Sequence, residues 1–273
     1  MRTIFLLMFI LISVSTGFGA ERWSVRDSVL VISGNVTDIP AYAFKDRSDF
    51  REIRFEAPVR LRTIGEYAFL GCSDLRSVRL PQGVSKLGEG CFRECVSLES
   101  VSVPESVKAL PRSFCQWNAS LQTVVLPAGL EDIGSHAFAY CGKLREITIP
   151  RRVKHIGSNV FSFCGSLREV KVPASVTELE SYAFSECVSL ERAELPANNS
   201  LLGELIFSGC RNLRELTVNS AIPPRFDCDS FIFEPDETGL YEQCRLSVPA
   251  GSLERYVSAP GWRLFEEMTA IRQ

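Results

Sequence analysis

The sequence predicts a repeat solenoid, a right-handed coil with one short parallel strand plus one short helix or turn per repeat, capped at both ends. Three observations carry this expectation. A phenylalanine recurs at Phe69, Phe92, Phe138, Phe161, Phe184 and Phe207, always 23 residues or a multiple of 23 apart, with Cys115 in the one missing place. Three residues later runs a second column, Cys72, Cys95, Asn118, Cys141, Cys164, Cys187 and Cys210. Six residues after the first runs a third, from Leu75 through Leu98, Leu121, Leu144, Leu167 and Leu190 to Leu213. A fixed period of this length marks units that cannot bury their apolar edge alone and must stack.

Each element of the unit has its own signal. At Ser77, Val78, Arg79 and Leu80 the alternation has period two, so Val78 and Leu80 face inward and Ser77 and Arg79 outward. The same inward pair recurs as Val101 and Val103, Val124 and Leu126, Ile147 and Ile149, Val170 and Val172, Ala193 and Leu195, then Leu216 and Val218. Prolines 81, 104, 127, 150, 173 and 196 end six of these strands, because proline offers no donor to a ladder. The Ala-Phe-x-x-Cys segment is expected as the short turn or helix. In the third unit the bulk moves to Phe114, in the usual alanine place, while Cys115 takes the phenylalanine place.

The pattern from Ile64 to Pro81, Ile-Gly-Glu-Tyr-Ala-Phe-Leu-Gly-Cys-Ser-Asp-Leu-Arg-Ser-Val-Arg-Leu-Pro, resembles the BspA-like leucine-rich repeats of bacterial surface proteins, in the 23-residue, cysteine-containing subtype. The resemblance covers about residues 36 to 220 and implies a leucine-rich-repeat coil. Residues 36–54 form a diverged copy, with Phe44 25 residues before Phe69 and Arg47 where cysteine is usual. Residues 21–35 resemble the strand hairpin that opens such proteins. Residues 221–273 supply a last strand at Leu246 to Pro249 and a terminal cap in which Tyr256, Trp262 and Phe265 fold over the core. Caps matter because an open solenoid end leaves unpaired strand edge and apolar surface.

Residues 1–20 read as a signal peptide. Arg2 is a short positive region, Ile4 to Val14 is an apolar run of eleven residues, and cleavage is expected after Gly17, Gly19 or Ala20. Eleven residues fall well short of the roughly 20 needed to span a bilayer, so the mature chain is expected to carry no transmembrane segment. No cysteine follows the run, which argues against a lipoprotein. The expected location is exported: secreted, cell surface or periplasmic. A formal charge of -3 on 273 residues lacks the basic excess that nucleic-acid binding needs.

Ten cysteines in an exported chain raise the question of disulfides. Six of them share one column and point the same way from successive turns, which reads as buried thiol packing. Cys91 and Cys115 occupy neighbouring units and pack. Cys228 and Cys244 flank a loop, where a bridge and two thiols both stay open. Sequons stand at Asn35, Asn118 and Asn198, with Asn118 expected to be buried in the cysteine column.

No catalytic, cofactor or metal site is expected. There is no CxxC pair, and the two histidines, His136 and His155, are expected as surface side chains without an orienting third group. Two features point instead to a macromolecular partner. One is a charge register on the strand side: Arg51, Arg76, Arg145, Arg168 and Arg214 in one column, with Glu52, Glu146, Glu169 and Glu215 in the next. Of this face, Arg76, Arg79, Arg145, Arg168, Lys171 and Arg214 are candidate partner-binding residues, against the plainer reading of a solubilising ladder of ion pairs. The other is the column two residues after the phenylalanines, Gly71, Glu94, Trp117, Tyr140, Phe163, Glu186 and Gly209. Trp117, Tyr140 and Phe163 would form an exposed aromatic stripe, a binding surface or simply a stack that stabilises the middle. The resemblance implies a non-enzymatic protein-binding or adhesion module for a host or neighbouring-cell surface or matrix. The alternative is an envelope assembly protein that self-associates or binds glycan through the stripe.

Overall fold

The computed structural model describes residues 23–197, 201–226, 232–234 and 238–271. The expected leader, Asn198 and Cys228, and with Cys228 the question of a bridge to Cys244, lie outside the described residues.

The chain winds into a parallel β-solenoid. An antiparallel hairpin, Trp23–Arg26 with Val29–Ile32, opens it, and Val29–Ile32 then pairs in parallel with Glu52–Phe55. From there each repeat adds one strand in the 23-residue register: Val78 lies beside Val101, and Val101 beside Val124. Further along, Val170, Ala193, Leu216 and Leu246 line up in the same way through four parallel strands. The inward residues Val78, Val101, Val170 and Leu216 are buried. The carbonyls of Pro81, Pro104, Pro127, Pro150 and Pro173 then accept a bond from the N–H three residues on, as Pro81 does from Val84 at 3.0 Å, which turns the chain.

One strand per repeat was the expectation, and the structure has two. Behind each proline turn lies a two-residue strand, such as Asp132–Ile133, His155–Ile156 and Glu178–Leu179, paired in parallel from rung to rung. Its inward residue, Ile133, Ile156 or Leu179, closes the core on a second side. Two residues are too few to show an alternation, so this wall reads from sequence as turn.

The phenylalanine segment is a turn and not a helix. In every repeat the residues two before and two after the column position take left-handed backbone, as at His136 (φ 61) and Tyr140 (φ 62) around Phe138. Rung-to-rung bonds still run through it: the Phe138 N–H donates to Val160 O at 2.9 Å and Phe161 to Ala183 at 2.8 Å. The rings pile up inside. Phe44, Phe69 and Phe92 stack at 5.0 and 5.1 Å, and Phe138, Phe161, Phe184 and Phe207 stack at 5.4 to 5.6 Å. Between these piles Phe114 stands edge-on, 5.8 Å from Phe92 and 6.1 Å from Phe138, so the substituted third unit joins two stacks through a T-shaped contact.

The cysteine column has a chemical reason. Each thiol donates to the carbonyl of the column residue one rung earlier: Cys95 to Phe69 O at 3.2 Å, Cys164 to Phe138 O at 3.3 Å, Cys187 to Phe161 O at 3.2 Å. A buried carbonyl without a donor is costly, and a small apolar side chain that still offers a hydrogen fits the place. Asn118 does the same job, donating from Nδ2 to Phe92 O at 3.0 Å, and is fully buried as expected. Burial pushes the Cys141 thiol up to about 12. At the first rung Arg47 replaces cysteine and lies over the Phe44 and Phe50 rings at 5.7 and 5.6 Å.

At the far end Tyr256 and Trp262 are buried and donate to Ser220 O and Pro224 O, each at 2.8 Å. Strand Met268–Ala270 pairs with Arg245–Val248 and ends the first sheet.

The long ladder has one interruption. Residues 145–149, expected as the fourth unit's strand, are not in strand conformation, so the first sheet divides after Thr123–Val125 and resumes at Glu169–Lys171. Val124, Leu126 and Ile147, expected inward, are there only half-buried. The break falls beside the edge-on Phe114, whose ring spaces the column more widely than the stacked pairs do.

Candidate partner-binding faces and the His155 cluster

The stripe exists as a continuous stack. Trp117 and Tyr140 lie face to face with ring centroids 3.7 Å apart and planes 7° apart, and Tyr140 and Phe163 follow at 4.4 Å and 5°. Trp117 and Phe163 are each 43% exposed, and Tyr140 is half-buried. Because the faces cover one another, the stack presents ring edges to solvent. All three residues have left-handed backbone, at φ 67, 62 and 60, the conformation that Gly71 (φ 69) and Gly209 (φ 73) hold in the same column. The flanking glycines, which the sequence suggests as a sign of exposure, are thus also a sign of backbone conformation. Val96 and Val188, two residues further along the chain from Glu94 and Glu186, are 46% and 38% exposed.

The charged face divides in two. Towards the C-terminus it neutralises itself: Lys171 pairs with Glu194 at 2.7 Å, Arg192 with Glu169 at 2.9 Å and Arg245 with Glu267 at 2.7 Å. Arg214 donates to the Arg211 and Leu213 carbonyls, each at 3.3 Å. Arg76, Arg79, Arg145 and Arg168 are exposed and make no ion pair among the described residues. Structure therefore separates Lys171 and Arg214 from the four arginines with which the sequence groups them.

The histidines are not plain surface side chains. His155 is 26% exposed and bridges two carboxylates, with Nδ1 2.7 Å from Asp132 Oδ2 and Nε2 2.9 Å from Glu180 Oε1. Glu180 also accepts from Ser158, through its N–H at 2.8 Å and its Oγ at 2.6 Å. A neutral imidazole donates only once, so two carboxylate contacts require the doubly protonated ring. Burial works against that charge, but the Glu180 and Asp132 contacts outweigh it and hold the His155 pKa above its ordinary value. The serine donates to the glutamate and not to the histidine, so the cluster lacks the hydroxyl-to-imidazole contact that nucleophilic activation needs. Its signal in the sequence was positional: Asp132 and His155 are 23 apart, hence neighbours on adjacent rungs. His136 is half-buried with Nδ1 sealed and without a hydrogen-bond partner; burial, then Arg112 and Arg93, lowers its pKa.

The cluster yields a pH prediction. A histidine whose pKa is raised on folding adds stability in full below its unfolded value of about 6.5, and loses it as pH rises through the folded value. The Tm advantage of the native chain over His155→Gln is therefore expected to be larger at pH 6 than at pH 8.5. An advantage that is flat or grows with pH in thermal scans would refute the doubly protonated bridge.

Among the described residues no group of three or more His, Cys, Asp or Glu is placed to hold a metal ion, and no helix is long and apolar enough to cross a membrane.

Residues 28–141 and 109–225 match the family described as BspA type Leucine rich repeat region (6 copies), and the chain belongs to that family. Among solved structures it is similar to the Leucine Rich Repeat protein TpLRR of T. pallidum, at 28% identity over 75% of this chain and 81% of that one, with a TM-score of 0.48. It is similar also to the pneumococcal vaccine antigen PcpA, at 19% identity over 86% of this chain and 67% of that one, with a TM-score of 0.56. A third is a leucine rich cell surface protein from Faecalibacterium prausnitzii, at 18% identity over 93% and 87%, with a TM-score of 0.41. The PcpA likeness bears on the fold alone. No curated protein matches the chain.

Proposed function

We propose that the chain is an exported, non-catalytic protein-binding module of the secreted or cell-surface kind, acting in adhesion, with Trp117, Tyr140 and Phe163 as its principal contact. The observation that carries this reading is the exposed stack itself: three large aromatics stand on consecutive rungs at a position where the flanking rungs carry Gly or Glu. The left-handed backbone beneath them is shared by every rung, at Glu94 and Glu186 as well, so it belongs to the fold and does not single the stripe out. Two aromatic contacts contribute about 0.5–1.5 kcal/mol each beyond area burial, and ring edges left in water on adjacent rungs form the kind of apolar patch that a partner covers. Edges rather than faces point outward, which favours a protein partner over a sugar ring stacked on the aromatics.

Replacing Trp117, Tyr140 and Phe163 together by serine tests the reading. Flanking rungs carry Gly or Glu at this position, so the variant is expected to fold. Capture of an extracellular-matrix protein mixture by the immobilised chain is expected to weaken at least 30-fold or so, the scale of an aromatic hot spot. Undiminished capture by the folded variant would remove the stripe as the site. Light scattering on the native chain separates the alternative, self-association, which would appear as a dimer that the variant loses.

A further inference from the structure

We infer that the N-terminal half of the strand face is a second docking surface, shaped for an extended acidic polypeptide segment that also carries an apolar side chain. Two observations carry this, independently of the aromatic stripe. The first is charge. Glu52 and Ser77 are aligned in the parallel register of their strands, which sets Arg79 beside Arg54, while the Arg76 N–H donates to Arg51 O at 2.9 Å. Four exposed arginines thus sit on two adjacent rungs, and among the described residues only Arg54 has an acidic partner, Glu52 at 3.4 Å. Glu99 follows on the next rung of the Arg76 column, yet makes no ion pair among the described residues. This is a concentration of positive charge on a chain whose net charge is -3, and it contrasts with the cross-rung pairs that neutralise the other half of the face. Guanidinium groups present paired donors that match carboxylates.

The second is an apolar anchor in line with those arginines. The outward column runs from Arg79 through Ser102 to Val125. Val125 is 54% exposed, the one large apolar residue in that run, and stands on the last strand before the ladder break. Two rung spacings put Val125 about 9.5 Å from the Arg79 position. An extended segment spans that distance with three residues. Arginines alone would suit a sulfated polysaccharide equally; the aligned valine favours a peptide.

The test uses the full chain and a fluorescein-labelled peptide of four glutamates, a Gly-Ser-Gly spacer and a leucine, followed by fluorescence anisotropy. Binding is expected, weaker at 300 mM than at 50 mM salt. Arg76→Gln with Arg79→Gln should weaken it at least tenfold. Lys171→Gln with Arg192→Gln, an equal change in charge taken from ion-paired residues, should change it less than twofold. Val125→Ser should weaken it several-fold, as should removing the leucine from the peptide. The stripe variant should bind the peptide like the native chain, so failure of either surface can be told from failure of the other. No binding, equal losses in the two charge variants, or an unchanged Arg76/Arg79 variant would overturn the proposal. Binding of heparin but not of the peptide would overturn it in favour of a polysaccharide.

Discussion

Truncating Phe161 to alanine is expected to destabilise the chain by about 3–5 kcal/mol, the largest effect of any single side chain considered. The ring is fully buried and stacked on both sides, 5.6 Å from Phe138 and 5.4 Å from Phe184. In a solenoid each rung touches only its neighbours, so no distant element can move in to fill the space. Removing one ring costs its own transfer energy and strips a contact from the rung on either side. Urea unfolding followed by circular dichroism should show a lower midpoint. A loss under about 1 kcal/mol would mean that the pile is not the main support of the coil.

Gly203→Ala is expected to cost about 1–3 kcal/mol, although it adds a single methyl. A Cβ at this position would lie 2.1 Å from Ser181 N and 2.3 Å from the Glu180 carbonyl carbon, both backbone atoms of the preceding rung. Rungs cannot approach to strand spacing there unless the upper residue lacks a side chain, which is why the short second sheet is flanked by glycine. Gly142→Ala is the control, because a Cβ at Gly142 meets nothing within 4 Å, and its effect should stay within about 0.5 kcal/mol. Equal Tm shifts in the two variants would show that the close approach at Gly203 has no energetic weight.

The sequence made the large columns plain and hid what depends on the third dimension. Phe69, Phe92 and their successors could be read because stacked identical side chains impose a strict period. The second strand could not, since Asp132–Ile133 is too short to alternate. The His155 bridge was hidden by reading along the chain instead of across it: Asp132, His155 and Glu180 look unrelated until the period is used to fold them together. The charged face was legible as residue types, but its pairing was not, because Lys171 finds Glu194 on the following rung while Arg168 makes no ion pair among the described residues. The ladder break was invisible for another reason. Arg-Glu-Ile-Thr-Ile at residues 145–149 is strand-forming by composition, and nothing within those five residues marks the interruption.

The thiol column sets an order of events on the way to this fold. Thiolate is the species that forms disulfides, and a sulfur held at about 12, as in Cys141, supplies almost none at neutral pH. Before the rungs close, the same sulfurs are ordinary thiols spaced 23 residues apart on an open chain. In oxidising surroundings the coil must therefore zip up faster than an oxidant can crosslink it. A chain that wins this race needs no reductant afterwards, and one that loses it is locked by its own repeats into mismatched loops.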